Sequence, residues 1–157
     1  GLDWSESLAD PAGGQLVCHN DVELSNIVFE DGVAIAFIDF EFAAPGRAIY
    51  DVAQFARLCV PIEADFDQAR MGWKPADRPR RLRLVADEYG LDQTGRTDLL
   101  AAIEDALEQI ERLARRDFEV GEPHTLAMLS TTGGIEKYDR RREWWRRHRG
   151  KFEIALG

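Results

Sequence analysis

The residues with the most chemical potential in this chain lie close together. His19-Asn20-Asp21 is followed after four residues by Asn26, and a second short segment reads Ile38-Asp39-Phe40-Glu41. Two carboxylates and an amide oxygen are the hard donors that a cation such as magnesium selects. A carboxylate that orients a hydroxyl and takes its proton, beside a cation that neutralises phosphate charge, is what phosphoryl transfer requires.

These side chains need elements to hold them. Gln15 to Cys18 reads as a strand, and Asp21 then sits on the polar loop that leaves it. Ile27 to Glu30 and Val33 to Ile38 are apolar runs separated by Asp31-Gly32, a dipeptide that supplies the positive φ of a tight hairpin turn. The hairpin folds the chain back, so Asn26 at its start and Asp39 at its end are expected side by side, with Asp21 facing them. The remainder is helical in pattern. Val52, Phe55, Ala56 and Cys59 mark one face of a helix over residues 49–60, stopped by Pro61. Further helices are expected over 81–89, from a cap at Thr97 to Gly121, and on both sides of Gly133-Gly134, the last spanning 138–151. The fold class is α+β and mostly helical, with a small β-hairpin and about five helices. One domain over 1–157 is expected: residues 1–14 a loop or ragged terminus, 15–47 the catalytic loop and hairpin, and 48–157 a helical substrate region.

His-x-Asp-x-x-x-x-Asn, a short hairpin and then Ile-Asp-Phe-Glu resembles the aminoglycoside phosphotransferase and choline kinase superfamily, over roughly residues 16–60. Pro45-Gly46 with Asp51-Val52-Ala53 resembles its bacterial members. The resemblance implies the C-terminal lobe of a protein-kinase-like fold, with ATP as co-substrate and Mg2+ as cofactor. It implies Asp21 as catalytic base and Asn26 and Asp39 as magnesium ligands. His19 would brace the loop, Asp51 would tie the following helix to it, and Glu41 would assist metal or substrate. The acceptor is expected to be a hydroxyl of a small molecule such as an aminoglycoside, an amine alcohol or a related metabolite. Kinases of this kind hold the nucleotide with an N-terminal β-rich lobe and a lysine. The three lysines here all follow the motif, and no glycine-rich phosphate loop occurs, so that lobe is expected to be missing, or supplied by a partner or second copy.

Each residue has a plainer reading. Asp21 suits a turn, Asn26 a cap and Asp39 a strand end, and a non-catalytic binding module or inactive kinase fragment stands as the rival class. The first 73 residues carry 13 acids and 3 bases, a net of −10, against +1 for the rest. That field favours cations and amine-bearing acceptors. The C-terminal arginines, among them Arg140 to Arg142, are spread around a helix and read as a solvated face paired with acids, not a nucleic-acid patch. Of the adjacent Trp144 and Trp145, one is expected in the core. Cys18 and Cys59 read as buried thiols of a cytoplasmic protein, and no apolar run approaches a membrane span.

Overall fold

A computed structural model describes Trp4 and residues 6–157. The expectation of irregular chain at residues 1–3 and 5 lies outside the described residues.

The described residues form two small antiparallel sheets and six α-helices. Strand β1 (Leu16–Cys18) and strand β2 (Ile27–Glu30) flank the polar loop, with a 3-10 turn over Leu24–Asn26. Strand β3 (Val33–Phe37) pairs with β2, Ile27 opposite Phe37, and a bulge falls after Val28. Asp31 and Gly32 have φ of 50° and 80°, the left-handed pair the turn requires. Strand β4 (Ala44–Gly46) pairs with β1, placing Pro45 opposite Val17. Ala-Pro-Gly carries no strand signal, but an edge position in a two-stranded sheet tolerates a residue without an N–H.

Helix α1 (Ala48–Cys59) follows at once, and helix α2 (Asp65–Arg70) occupies a segment whose sequence reads as a surface loop or lid. A single turn and a half is too short to show periodicity, so six helices stand where about five are expected. Helix α3 (Arg78–Glu88) is capped by Asp77, and the long helix α4 (Gln93–Glu119) by Asp92, whose side chain accepts the Gly95 N–H. Thr97 is therefore inside α4, its hydroxyl bonded to the Gln93 carbonyl at 3.1 Å, and is not the cap its position suggests. Helices α5 (Pro123–Thr132) and α6 (Lys137–Leu156) flank Gly133, which ends α5 in the left-handed conformation.

The core gathers Val52, Ala53 and Ala56 of α1, Leu82 and Ala86 of α3, Leu99 and Ile103 of α4, and Phe152 of α6. Trp144 and Trp145 are both buried, because α3 and α4 cover different sides of α6. The Trp144 ring stacks on His148 with centroids 4.5 Å apart, and the Arg78 guanidinium lies 4.0 Å from its centre. The indole N–H of Trp145 donates to Glu104. Arg140, Arg141, Arg142, Arg146, Arg147 and Arg149 all meet carboxylates.

The chain before β1 is irregular in backbone yet anchored. Leu8 is buried, and the enclosed Asp10 accepts from Arg47 through its side chain at 2.7 and 2.8 Å and through its backbone N–H at 2.9 Å. Burial alone would raise the Asp10 carboxyl, but these bonds and one from Ala12 outweigh it and hold the group below its usual range. A depressed carboxyl stabilises the fold above the unfolded value of about 4 and loses that contribution as pH falls through the folded value. Asp10→Asn should therefore cost about 2 kcal/mol at neutral pH, discounted because Arg47 is partly exposed. The deficit should shrink on acidification below about pH 4, as urea unfolding midpoints across pH would show.

Candidate functional site

The polar loop after β1 is fastened by one acid on the next helix. Asp51, in the first turn of α1, accepts the backbone N–H of Asn20 at 2.9 Å through Oδ1 and that of His19 at 3.1 Å through Oδ2. Asn20 takes a φ of 65°, a left-handed geometry that asparagine tolerates better than most residues, and its amide donates to the Phe42 carbonyl at 2.9 Å. The Cys59 thiol contacts the Val22 carbonyl at 3.5 Å, a second tie from α1 to the loop. Burial pushes both thiols up to about 11, so neither is a ready nucleophile.

His19 is 4% exposed and joins the loop to the hairpin. Its Nδ1 accepts the Asp21 N–H at 3.3 Å, so the ring donates from Nε2 to the Ile38 carbonyl at 2.9 Å. Phe40 packs against the ring with centroids 4.3 Å apart. Asp39 has a φ of 65°, a backbone turn that takes the chain out of β3 and brings Phe40 onto His19.

Asn26 is buried, and its amide nitrogen donates to the Asp21 carbonyl at 2.9 Å and to the Asp21 carboxylate at 3.1 Å. Both N–H groups are thereby used, and the amide oxygen is left without a donor among the described residues. The Ile38 N–H donates to the Asn26 carbonyl at 3.0 Å, which sets Asn26 one position from Asp39 across the ladder. Asp39 and Glu41 are exposed and carry no hydrogen bond or ion pair among the described residues. No group of three or more His, Cys, Asp or Glu is gathered to hold a metal among the described residues. An amide oxygen and a carboxylate, both unbonded, do suit a magnesium ion that takes its remaining ligands from phosphates and water.

Arg57 belongs to no motif legible in the sequence. Tyr50, Gln54 and Arg57 form a buried row on α1: the Gln54 amide donates to the Tyr50 hydroxyl at 3.1 Å and accepts from Arg57 Nε at 2.8 Å. The i, i+4, i+7 spacing of three polar residues, in a helix whose one other polar residue is Asp51, is the signal the sequence offers. Burial raises the Asp21 carboxyl, the Arg57 charge opposes this, and Glu23 adds to it. Asp65 and Asp67 of α2 are engaged by Arg78 and Arg140.

Beside the loop, β1, β3, α1 and α3 enclose a groove of about 880 Å³ whose walls include Val17, Phe37, Phe55 and Leu84. The outer hairpin is open as well, with Phe29, Val33 and Ile35 exposed.

The sequence profile of the phosphotransferase enzyme family matches residues 2–84, more than half of the chain and every site residue named above. This chain belongs to that family. The family member is 33% identical over 108 residues to the trifolitoxin immunity protein of Rhizobium leguminosarum bv. trifolii, a match covering 65% of this chain and 41% of that protein. The chain thus spans about two fifths of the length of the curated relative it matches. No solved structure matches it.

Asp51→Ala would leave two loop N–H groups without an acceptor, at about 1–3 kcal/mol each when buried. Because Asp51 is half-buried, the expected total is about 3 kcal/mol. Asp51→Asn, which keeps one acceptor oxygen, should lose about half as much in urea denaturation.

Proposed function

We propose that this chain carries the catalytic loop of an ATP-dependent kinase that phosphorylates a hydroxyl of a small molecule. Asp21 takes the acceptor's proton while a bond forms from that oxygen to the γ-phosphorus. The bond to the oxygen bridging the β-phosphate breaks, and ADP leaves. Asn26 and Asp39 would hold magnesium, whose charge would offset that of the phosphates. The observation that carries this reading is the orientation of the Asn26 amide. Its nitrogen fixes Asp21 while its oxygen stays free near Asp39. His19 and Asp51 keep the loop in shape, and Glu41 is free to meet acceptor or cation.

The fold is read as the C-terminal lobe of a kinase-like architecture, with the nucleotide base held by residues beyond this chain or by a second copy. The exposed apolar hairpin and groove support that view, since they flank the phosphate end of the site. Two free thiols, Cys18 buried and Cys59 only half-buried where both are expected to be enclosed, fit a cytoplasmic setting, and no helix among the described residues is long and apolar enough to cross a membrane. The relative's name, an immunity protein, supports an antibacterial compound as one class of acceptor.

Calorimetric titration with ATP and magnesium should give saturable binding that Asp39→Ala abolishes. Absence of binding by the folded chain would assign it the role of a fragment or non-catalytic module until the nucleotide-holding part is added. With that part present, Asp21→Asn should lower turnover about a thousandfold. Asp21 acts as a base only when ionised, and burial has raised its carboxyl. The rate should therefore fall on acidification at a pH above the ordinary carboxylate value of about 4. Full turnover by Asp21→Asn would refute the assignment of the base.

A further inference from the structure

Three cations are enclosed on the helical side of the site. Arg57 of α1 is 9% exposed, and Lys137 and Arg141 of α6 are 7% and 2% exposed. Enclosed cations are normally matched by anions, because an unpaired buried charge is costly. The exposed arginines of α6 all have carboxylate partners, where solvent makes such pairs worth little. The enclosed group is short of them.

Arg141 comes nearest to being matched: it faces Glu63 at 3.5 Å and donates to the Leu107 carbonyl at 2.7 Å. Arg57 donates from Nε to Gln54, and its two terminal nitrogens have no acceptor among the described residues. The Lys137 ammonium contacts only neutral groups, Thr132 Oγ1 at 3.3 Å and Met128 Sδ at 3.9 Å, and lies 5.2 Å from the centre of the Tyr138 ring. The acids acting on Arg57 are Asp21 and Glu63 and those acting on Lys137 are Glu63 and Asp67, of which Asp67 is already neutralised by Arg140. Glu63 acts on Arg57 and Lys137 and lies 3.5 Å from Arg141, while Asp21 acts on Arg57, so Lys137 shares its one unneutralised acid with both arginines. Glu63 Oε2 is also buried without a donor, and the Tyr138 hydroxyl has no partner among the described residues.

We propose that this cluster receives an anionic group of the acceptor, a carboxylate or a phosphate, held by Arg57 and Lys137. Glu63 and the Tyr138 hydroxyl are placed to meet polar groups beside that anion. An arginine fork and an ammonium give the charge-assisted hydrogen bonds that such a group selects. This reverses the expectation of an amine-bearing acceptor drawn from net charge, since contact groups, not the outer field, decide what is held. That the anion belongs to the acceptor rests on the phosphotransfer reading, because Asp21 interacts with Arg57. The anion site itself does not.

The test is calorimetry of the full 157-residue chain at low ionic strength, without magnesium or nucleotide, against inorganic phosphate and, separately, malonate. Saturable binding of either is expected, phosphate alone indicating a phosphorylated acceptor and malonate alone a carboxylate. Lys137→Met and Arg57→Met should each weaken binding at least tenfold, whereas Arg146→Gln, at an exposed pair, should not. If Arg57→Met fails to fold, Lys137→Met and Lys137→Gln decide the matter. No saturable binding, or binding unaffected by the Lys137 variants, overturns the proposal and leaves Arg57 as a counter-ion to Asp21 only. Failure of the kinase reading would show separately, as anion binding that survives in a protein with no ATP site.

Discussion

The carboxylate of Asp51 is the fixed point of this molecule. By accepting the N–H groups of His19 and Asn20, it fastens a polar loop to the start of α1. Without that acceptor the left-handed turn at Asn20 would face two unsatisfied donors, and the loop would relax towards solvent. Asp21 would then leave Asn26, and the hairpin would lose its link through His19. One side chain thus sets the register between the helical body and both halves of the candidate site.

The site also balances two opposing electrostatic demands. Burial of Asp21 disfavours its charged form, while Arg57, itself disfavoured by burial, restores part of that charge. Each makes the other tolerable in a way neither could manage alone. The outer half of the site is arranged differently. Asp39 and Glu41 stand in solvent with no partners among the described residues, so their charge is available to whatever approaches the hairpin. An enclosed carboxylate beside an open pair of oxygen donors makes the site polar in direction as well as in charge.

Local rules made part of this arrangement legible in the sequence. The Asp31-Gly32 turn dictated the hairpin, the hairpin dictated the adjacency of Asn26 and Asp39, and apolar spacing gave α1 and α4. Features that depend on long-range packing were not legible. Pro45 carries no strand signal but pairs with β1, α2 is too short to announce itself, and Thr97 resembles a cap although Asp92 precedes it. Arg57 is not legible because the apolar stripe of α1 runs through Val52 and Ala56, and a charged residue beside it reads as solvent-facing. The structure buries the helix on nearly all sides, including the row through Gln54. Trp144 and Trp145 are both buried for a similar reason: two neighbours, not one, cover α6.

The ties that shape the polar loop begin and end within residues 18–59, on one strand, one hairpin and one helix. Helices α4 to α6 support that unit from outside through apolar packing, a constraint that many sequences satisfy equally well. The profile match to the family ends at residue 84, inside α3, before those helices begin. Such a division makes the fold modular for evolution. The later helices can change sequence while the hydrogen-bonded unit of loop, hairpin and α1 stays intact, so one polar loop can stand beside many different helical surroundings.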